Sequence, residues 1–520
     1  MVNRKLWLCF AAATAFAQPG IRQNGVVNAA SQIPSTLPGG AIARGSLFTI
    51  FGVRFGAQTT VTISRNGAPL AVRILSSRPE QIDAEMPENA PVGPASLMVT
   101  SGGLESKAVD VNIVASNPGI FSRNGLGWGP GRIQNINANG GRSENSTLHS
   151  AQPRQRISLR VTGLRPSKMI TVMIGDRPVK GEIRRPVDGS GESEVLATLP
   201  ADTPEGCYVP VYLQAGPARA SNVVTVSVQS SGGPCDPGPV PMIDAGKIGI
   251  AVMSRRTMRV HRENKDTVTD EAAVAFAVHD NEPLSSPLPL LPPPGTCTAY
   301  TGSFQAETPM LNSVSAALIS NIAGHGLDAG RGLTVSREGA VRTIPQERGA
   351  PGYYRTRLGS AGVSVNRRAT PLILDPGEYT LAGMGGTGVG PFHAVFSMGA
   401  PFEWINREES GVVDQRRPLS VSWNDASADR WIIILATNVD QVTTANGTCL
   451  CVAHSNAGHF VIPASLLANL PASVETDTPL YGRLYLAAMS ARTPSPIQAP
   501  GLSRSAVISL QIIGRFVEYR

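Results

Sequence analysis

The segment Val223-Val224-Thr225-Val226-Ser227-Val228-Gln229 alternates apolar and polar residues with period two. That period belongs to a β-strand, in which successive side chains point to opposite faces. Val224, Val226 and Val228 should therefore face a core, and Thr225 and Ser227 the other side. Working back from this strand, Leu159–Gly163, Ile170–Ile174, Leu199-Pro200, Pro204–Gly206 and Val209–Gln214 supply further short apolar runs with Gly and Pro between them. The same order occurs about 111 to 114 residues earlier: Phe48–Gly52, Val61–Ser64, Met86-Pro87, Pro91–Gly93, Leu97–Thr100 and Val109–Val114. Two copies of one unit, each of short alternating strands with frequent turns, are the signature of small antiparallel sandwiches.

Composition agrees with this reading. The chain has 520 residues, with 54 Gly and 42 Pro, only 16% charged and 42% hydrophobic residues. Disorder would need lower hydrophobicity and more charge, and a helical bundle much less Gly and Pro. The formal charge is +7, carried by 45 Lys and Arg of which only six are Lys. The densest basic run, Arg255, Arg256, Arg259, Arg262 and Lys265, is interrupted by Glu263. It reads as a strand face, and no concentrated basic stripe or nucleic-acid module is present.

Arg4 and Lys5, the apolar stretch Leu6–Ala17 and the Ala15-Phe16-Ala17 site have the form of a secretory signal peptide, cleaved between Ala17 and Gln18. The expectation is a secreted, cell-surface or periplasmic protein with no transmembrane segment in the mature chain. Five cysteines then remain: Cys207, Cys235, Cys297, Cys449 and Cys451. An exported chain keeps disulfides, and an odd number leaves at least one thiol over. Cys235–Cys297 is the preferred bridge, since both lie in Gly/Pro-rich loops flanking one β segment; Cys207–Cys235 competes.

The stretches Asn24–Ser31, Pro38–Ala43, Gly45–Gly52, Asn117–Phe121 and Ala220–Val226 resemble the Solibacter uncharacterised C-terminal domain family of exported acidobacterial proteins, over residues 21–228. The resemblance implies paired Ig-like sandwiches of the IPT/TIG kind and no known activity. That unit comes first here, whereas the family name places it last. Residues 383–396, 401–406 and 458–463 look, more faintly, like a C-terminal module of such proteins.

The expected fold is thus mainly β: tandem Ig-like antiparallel sandwiches and a β-rich C-terminal module. The expected organisation is a signal peptide (1–17), sandwich one (18–115), a Gly/Asn-rich connector (116–152), sandwich two (153–229), a Pro/Gly linker (230–241) and a module (242–520) of one or two subdomains. Leu311–Ile322 and Pro463–Leu470 read as helical, and Pro283–Pro294 as a proline-rich loop.

Chemistry-bearing motifs are few. Gly383–Gly390 contains a formal G-x-G-x-x-G, but Pro391-Phe392 leads into a strand where a dinucleotide site needs a helix N-terminus, so a turn or bulge is expected and no cofactor. Cys449, Cys451, His454 and His459 are zinc-ligand types, with Asn456–Gly458 able to turn the chain between the histidines. Their spacing matches no standard finger, so strand residues with one buried or paired Cys are the simpler reading. Asp425 with Asp429, or Glu408 with Glu409, are either solvated acids or a hydrolase pair. Trp423 and Trp431 lie in apolar strands and read as core. Trp404, beside Glu403 and Asn406, is the candidate exposed aromatic for a sugar or partner. No catalytic motif is present. The leading expectation is a non-catalytic protein that binds glycan or cell-envelope surfaces, with the sandwiches as spacers. A polysaccharide-acting hydrolase and a purely structural envelope component are the alternatives.

Overall fold

The structure is a computed structural model that describes residues 18–164, 169–184, 191–214, 220–236, 246–259, 265–279, 291–303, 325–362, 369–440, 442–473, 482–492 and 494–520. The signal-peptide segment and the Leu311–Ile322 helix expected from the sequence lie outside these residues, as does most of Pro283–Pro294.

The chain is mainly β, with two Ig-like sandwiches in tandem ahead of a β-rich module. In the first, the sheet Gly20–Asn28, Leu47–Val53, Gln81–Glu85 and Arg73–Arg78 faces a sheet built on Val109–Val114, Gly93–Ser101 and Thr59–Arg65. Phe48, Ile50, Val61, Ile63, Ile82, Leu97 and Ile113 fill the space between them and are fully buried. Each such side chain contributes roughly 1.5–3 kcal/mol by leaving water.

The second sandwich is one nine-stranded sheet folded over its own core. Val224, Val226 and Val228 enter that core, but Thr225 and Ser227 are buried too. The reason lies in residues 116–152. They carry three strands of this sheet, Gly119–Ile120, Ile133–Ile136 and Arg142–Glu144, and then cover its free edge. Gly131 N–H donates to Thr225 O, and the Asn145 side chain bonds both the N–H and the O of Ser227. The segment read from sequence as a connector is therefore part of the sandwich. Gly/Asn content marked its turns and edge contacts, not a free tether.

A nine-stranded sheet organises the module. The antiparallel pair Gly246–Arg259 and Asp266–His279 lies beside Arg504–Phe516, which pairs in parallel with the first and antiparallel with Arg483–Ser490. Arg430–Val439, Ala445–His454 and Thr296–Ser303 continue the sheet. One face holds Ile250, Val252, Leu435, Tyr485, Ala487, Ile508 and Leu510. Trp128, from the 116–152 segment, joins this core edge-on to Tyr300 at 5.5 Å between ring centres.

The opposite face has two covers. A four-stranded sheet (Gly332–Arg337, Ala340–Pro345, Gly377–Gly383, Phe392–Met398) packs on Ala251, Met253, Val274 and Phe276. A three-stranded sheet (Glu403–Trp404, Leu419–Asn424, His459–Ile462), with the short helix Ala464–Leu467, packs on Ile432, Ile434, Leu484 and Leu486. Of the basic run expected as a strand face, Arg255, Arg256 and Arg259 form an ion-pair ladder, and Arg262 lies outside the described residues. Arg255 meets Asp270 and Asp375, Arg256 meets Glu271, and Arg259 meets Asp266 and Glu408.

Sandwich two docks on the module. Tyr212 and Val223 share a core with Cys297, Trp404 and Cys449. The buried Asp176 carboxylate accepts the Cys297 N–H at 3.1 Å, and the Tyr212 hydroxyl donates to it. Burial pushes Asp176 up to about 6, against the hydrogen bonds and the Arg177 charge.

Candidate functional site

Between the two covers the sequence of the central sheet changes. On Arg483–Ser490 the covered residues Leu484 and Leu486 give way to Ala488 and Ser490. On Arg504–Phe516 the same face carries Ser509 and Gln511, and Gln511 is registered opposite Ala488. Small and polar side chains thus occupy the strip between the covers, where Ala488 and Gln511 are themselves buried.

This strip floors a groove of about 410 Å³, within the usual size of small-molecule sites. Ser397 and Gly399 contribute to its lining from the first cover, Ser427, Asp429 and Arg430 from the loop before Arg430–Val439, and Arg492 and Ser495 from the segment after Ser490. Hydrogen bonds fix the lining. Ser509 Oγ donates to Ser397 O at 2.7 Å, and Gln511 Nε2 to Gly399 O at 2.9 Å. Arg430 is buried, paired with Asp425 and donating to Ala400 O. Arg492 Nη2 meets Asp429 Oδ2 at 2.6 Å, and both side chains are mostly exposed.

Its chemistry follows from that inventory. The two arginines are each matched by an aspartate, so the groove carries no net charge from these four groups. Five serines, 397, 427, 490, 495 and 509, and Gln511 line it beside the apolar Phe396, Met489, Pro494, Val507 and Ile508, and a hydroxyl both donates and accepts. The Asp425 side chain is fully buried. Asp429 is therefore the carboxylate among the lining residues, and it is engaged by Arg492.

Of the residues singled out by sequence, Asp429 lines the groove and Asp425 holds Arg430 beside it, and the others are placed elsewhere. Trp404 is not exposed: it is 4% accessible, cross-strand to Trp423, with Nε1 donating to Asn406 Oδ1 at 3.0 Å. Its polar neighbours suggested solvent, but alternation turns Glu403 outward and Trp404 into the core. Glu408 pairs with Arg259 and Arg515.

The preferred Cys235–Cys297 bridge is replaced by Cys207–Cys235 and Cys297–Cys451. Strand register decides this, because Cys297 stands directly opposite Cys451, while Cys207 and Cys235 lie 5.2 Å apart between Cα atoms in sandwich two. The Cys449, Cys451, His454, His459 metal set is not assembled. Cys451 is in a disulfide, Cys449 is buried, and both histidines are exposed. Cys297 instead joins Cys449 and Cys451, their sulfurs within 4.8 Å of one another.

The Gly383–Gly390 loop wraps a partly exposed carboxylate of the chain itself. Asp328 accepts the N–H groups of Gly330 and Thr387, which hold its carboxyl below the usual carboxylate range. Its backbone O accepts those of Gly388 and Val389. The groove itself was not legible as a motif, since it is a strip of polar residues on two strands brought together by register.

No protein-family model and no curated protein matches this chain. Among solved structures it is similar to domains 5–6 of the S-layer protein SbsC, at 13% identity over 40% of this chain and 98% of that one, TM-score 0.20. SGBP-B of the Bacteroides ovatus mixed-linkage glucan utilization locus, in complex with a mixed-linkage heptasaccharide, is 11% identical over 82% of this chain and 92% of its own, TM-score 0.15. The I9–I11 tandem of titin is 8% identical over 69% and 95%, TM-score 0.13. These TM-scores are low, and the likenesses assign neither a ligand nor a site to this chain. No helix among the described residues is long and apolar enough to cross a membrane.

Proposed function

We propose that this is an exported, non-catalytic binding protein whose module takes a neutral, multiply hydroxylated ligand, such as a glycan of the envelope or matrix, in the groove between its two covers. The groove's lining carries the proposal: five serines and a glutamine beside arginines whose charges are already matched. Such a surface offers hydrogen bonds without demanding a counter-charge. The N-terminal sequence, the two disulfides and the resemblance of residues 21–228 to an exported family support export. The sandwiches carry the module, and the second is docked on it through Tyr212, Val223 and Trp128.

The test is titration calorimetry of the secreted chain with neutral and uronic-acid oligosaccharides. Neutral sugars should bind, and a groove-filling Ser397→Trp variant of unchanged melting temperature should lose at least tenfold in affinity. Binding that survives this change intact, or binding to acidic sugars alone, overturns the proposal.

A further inference from the structure

Asp429 and Arg492 line the groove with side chains 64% and 80% exposed. Backbone bonds hold the two segments together: Ala491 N–H donates to Asp429 O at 2.9 Å, and Arg492 N–H to Ser490 Oγ at 3.2 Å. The ion pair itself is one contact, from Arg492 Nη2 to Asp429 Oδ2 at 2.6 Å. Among the described residues, Asp429 Oδ1 and the other guanidinium N–H groups of Arg492 take no further partner. The other charged pair at the groove is closed to a ligand. Arg430 and Asp425 have side chains only 7% and 0% exposed, with Arg430 Nη1 on Ala400 O and Nη2 on Asp425.

A carboxylate oxygen only accepts, and a guanidinium only donates. Side by side, Asp429 and Arg492 present an acceptor next to a donor with no net charge. Two hydroxyls on adjacent carbons are the neutral complement: they stand at hydrogen-bond distance from each other, as Asp429 Oδ2 and Arg492 Nη2 do. We propose, resting on the reading of the groove given above, that Asp429 and Arg492 set its specificity by selecting glycans with adjacent hydroxyls free along the chain. Asp429 Oδ1 accepts from one hydroxyl, and a free N–H of Arg492 donates to its neighbour. Bonds to charged groups are the stronger kind, and the ion pair stays intact while they form. The serines discriminate less, because a hydroxyl turns to donate or to accept as the ligand requires.

Calorimetry of the secreted chain with three neutral hexaoses tests this. Cellohexaose and mannohexaose are linked through O4 and keep O2 and O3 free on every internal sugar. Laminarihexaose is linked through O3, which separates its free O2 and O4. At least one O4-linked hexaose should bind about tenfold or more tightly than laminarihexaose. Asp429→Ala and Arg492→Ala alter an exposed pair and should melt with the wild type. Each should remove the preference by weakening the O4-linked sugar alone, whereas Ser397→Trp should weaken every sugar that binds. Equal affinity for the two linkages, or a preference that survives both alanine variants, overturns the role of Asp429 and Arg492; the groove reading stands if Ser397→Trp still abolishes binding. Absence of binding to all three sugars, or binding indifferent to Ser397→Trp, overturns both.

Discussion

The backbone N–H of Cys297 donates to the Asp176 carboxylate at 3.1 Å, and this bond crosses from the module into sandwich two. Asp176 is pushed up from an ordinary 3.8 to about 6, first of all by burial. The fold thus prefers its protonated form. The stabilisation is complete below about pH 3.8 and is lost as pH rises through 6. Asp176→Asn keeps an acceptor for the Cys297 N–H, reverses the Tyr212 bond so that the amide donates to the hydroxyl, and removes the charge. The variant should be more stable than wild type at pH 7.5, by up to ~3 kcal/mol, and nearly flat between pH 4 and 7. Urea denaturation across that range measures both.

Asp270 is fully buried and receives four donors: Arg255 through Nε and Nη2, and the N–H groups of Ile373 and Leu374. Removing it leaves a half-buried guanidinium with Asp375 alone and strands two amides. Asp270→Ala should cost about 3–5 kcal/mol. The double change Asp270→Leu, Arg255→Met should cost less than Asp270→Ala alone, because the only carboxylate it leaves without a partner, Asp375, is exposed. Chemical denaturation of the three proteins gives the comparison.

Gly386 sits against Asp328. A Cβ there would lie 2.5 Å from the carboxylate Oδ2 and 2.5 Å from Gly330 N. Gly386→Ala should therefore displace the loop and cost roughly 1–3 kcal/mol. Adding Asp328→Ala should restore part of the loss if the carboxylate is what the methyl meets. Thermal melts report the stability, and protease cleavage after the exposed Met384 reports the loop.

Trp404 is a core residue. Trp404→Ala should lower stability by about 3–5 kcal/mol, whereas Trp404→Phe should leave the affinity of the groove for a neutral oligosaccharide within twofold. Denaturation and calorimetry on the same samples distinguish this from a role in direct contact with ligand.

The strands that could be read were those with one covered face. Phe392–Met398 alternates buried and exposed without exception, whereas Val223–Gln229 shows the same period in sequence although Thr225 and Ser227 are buried as well. Arg504–Phe516 lies in the middle of the central sheet, buried on both faces along much of its length, so Ala506-Val507-Ile508 has no period to detect. The groove and the disulfides depended on something else. Ala488 meets Gln511, and Cys297 meets Cys451, only because of register between strands distant in sequence. Composition along one segment does not encode which partner it will face.

The place of Arg504–Phe516 between Gly246–Arg259 and Arg483–Ser490 also fixes an order of events. It is the last of the central sheet's strands to be synthesised, yet it joins the earliest to those made just before it. Until it arrives, the sheet exists as two halves with bare edges, and its parallel pairing closes a loop of more than two hundred residues. The module therefore completes itself only after Arg504–Phe516 has emerged, and its central sheet cannot close strand by strand as the chain is made.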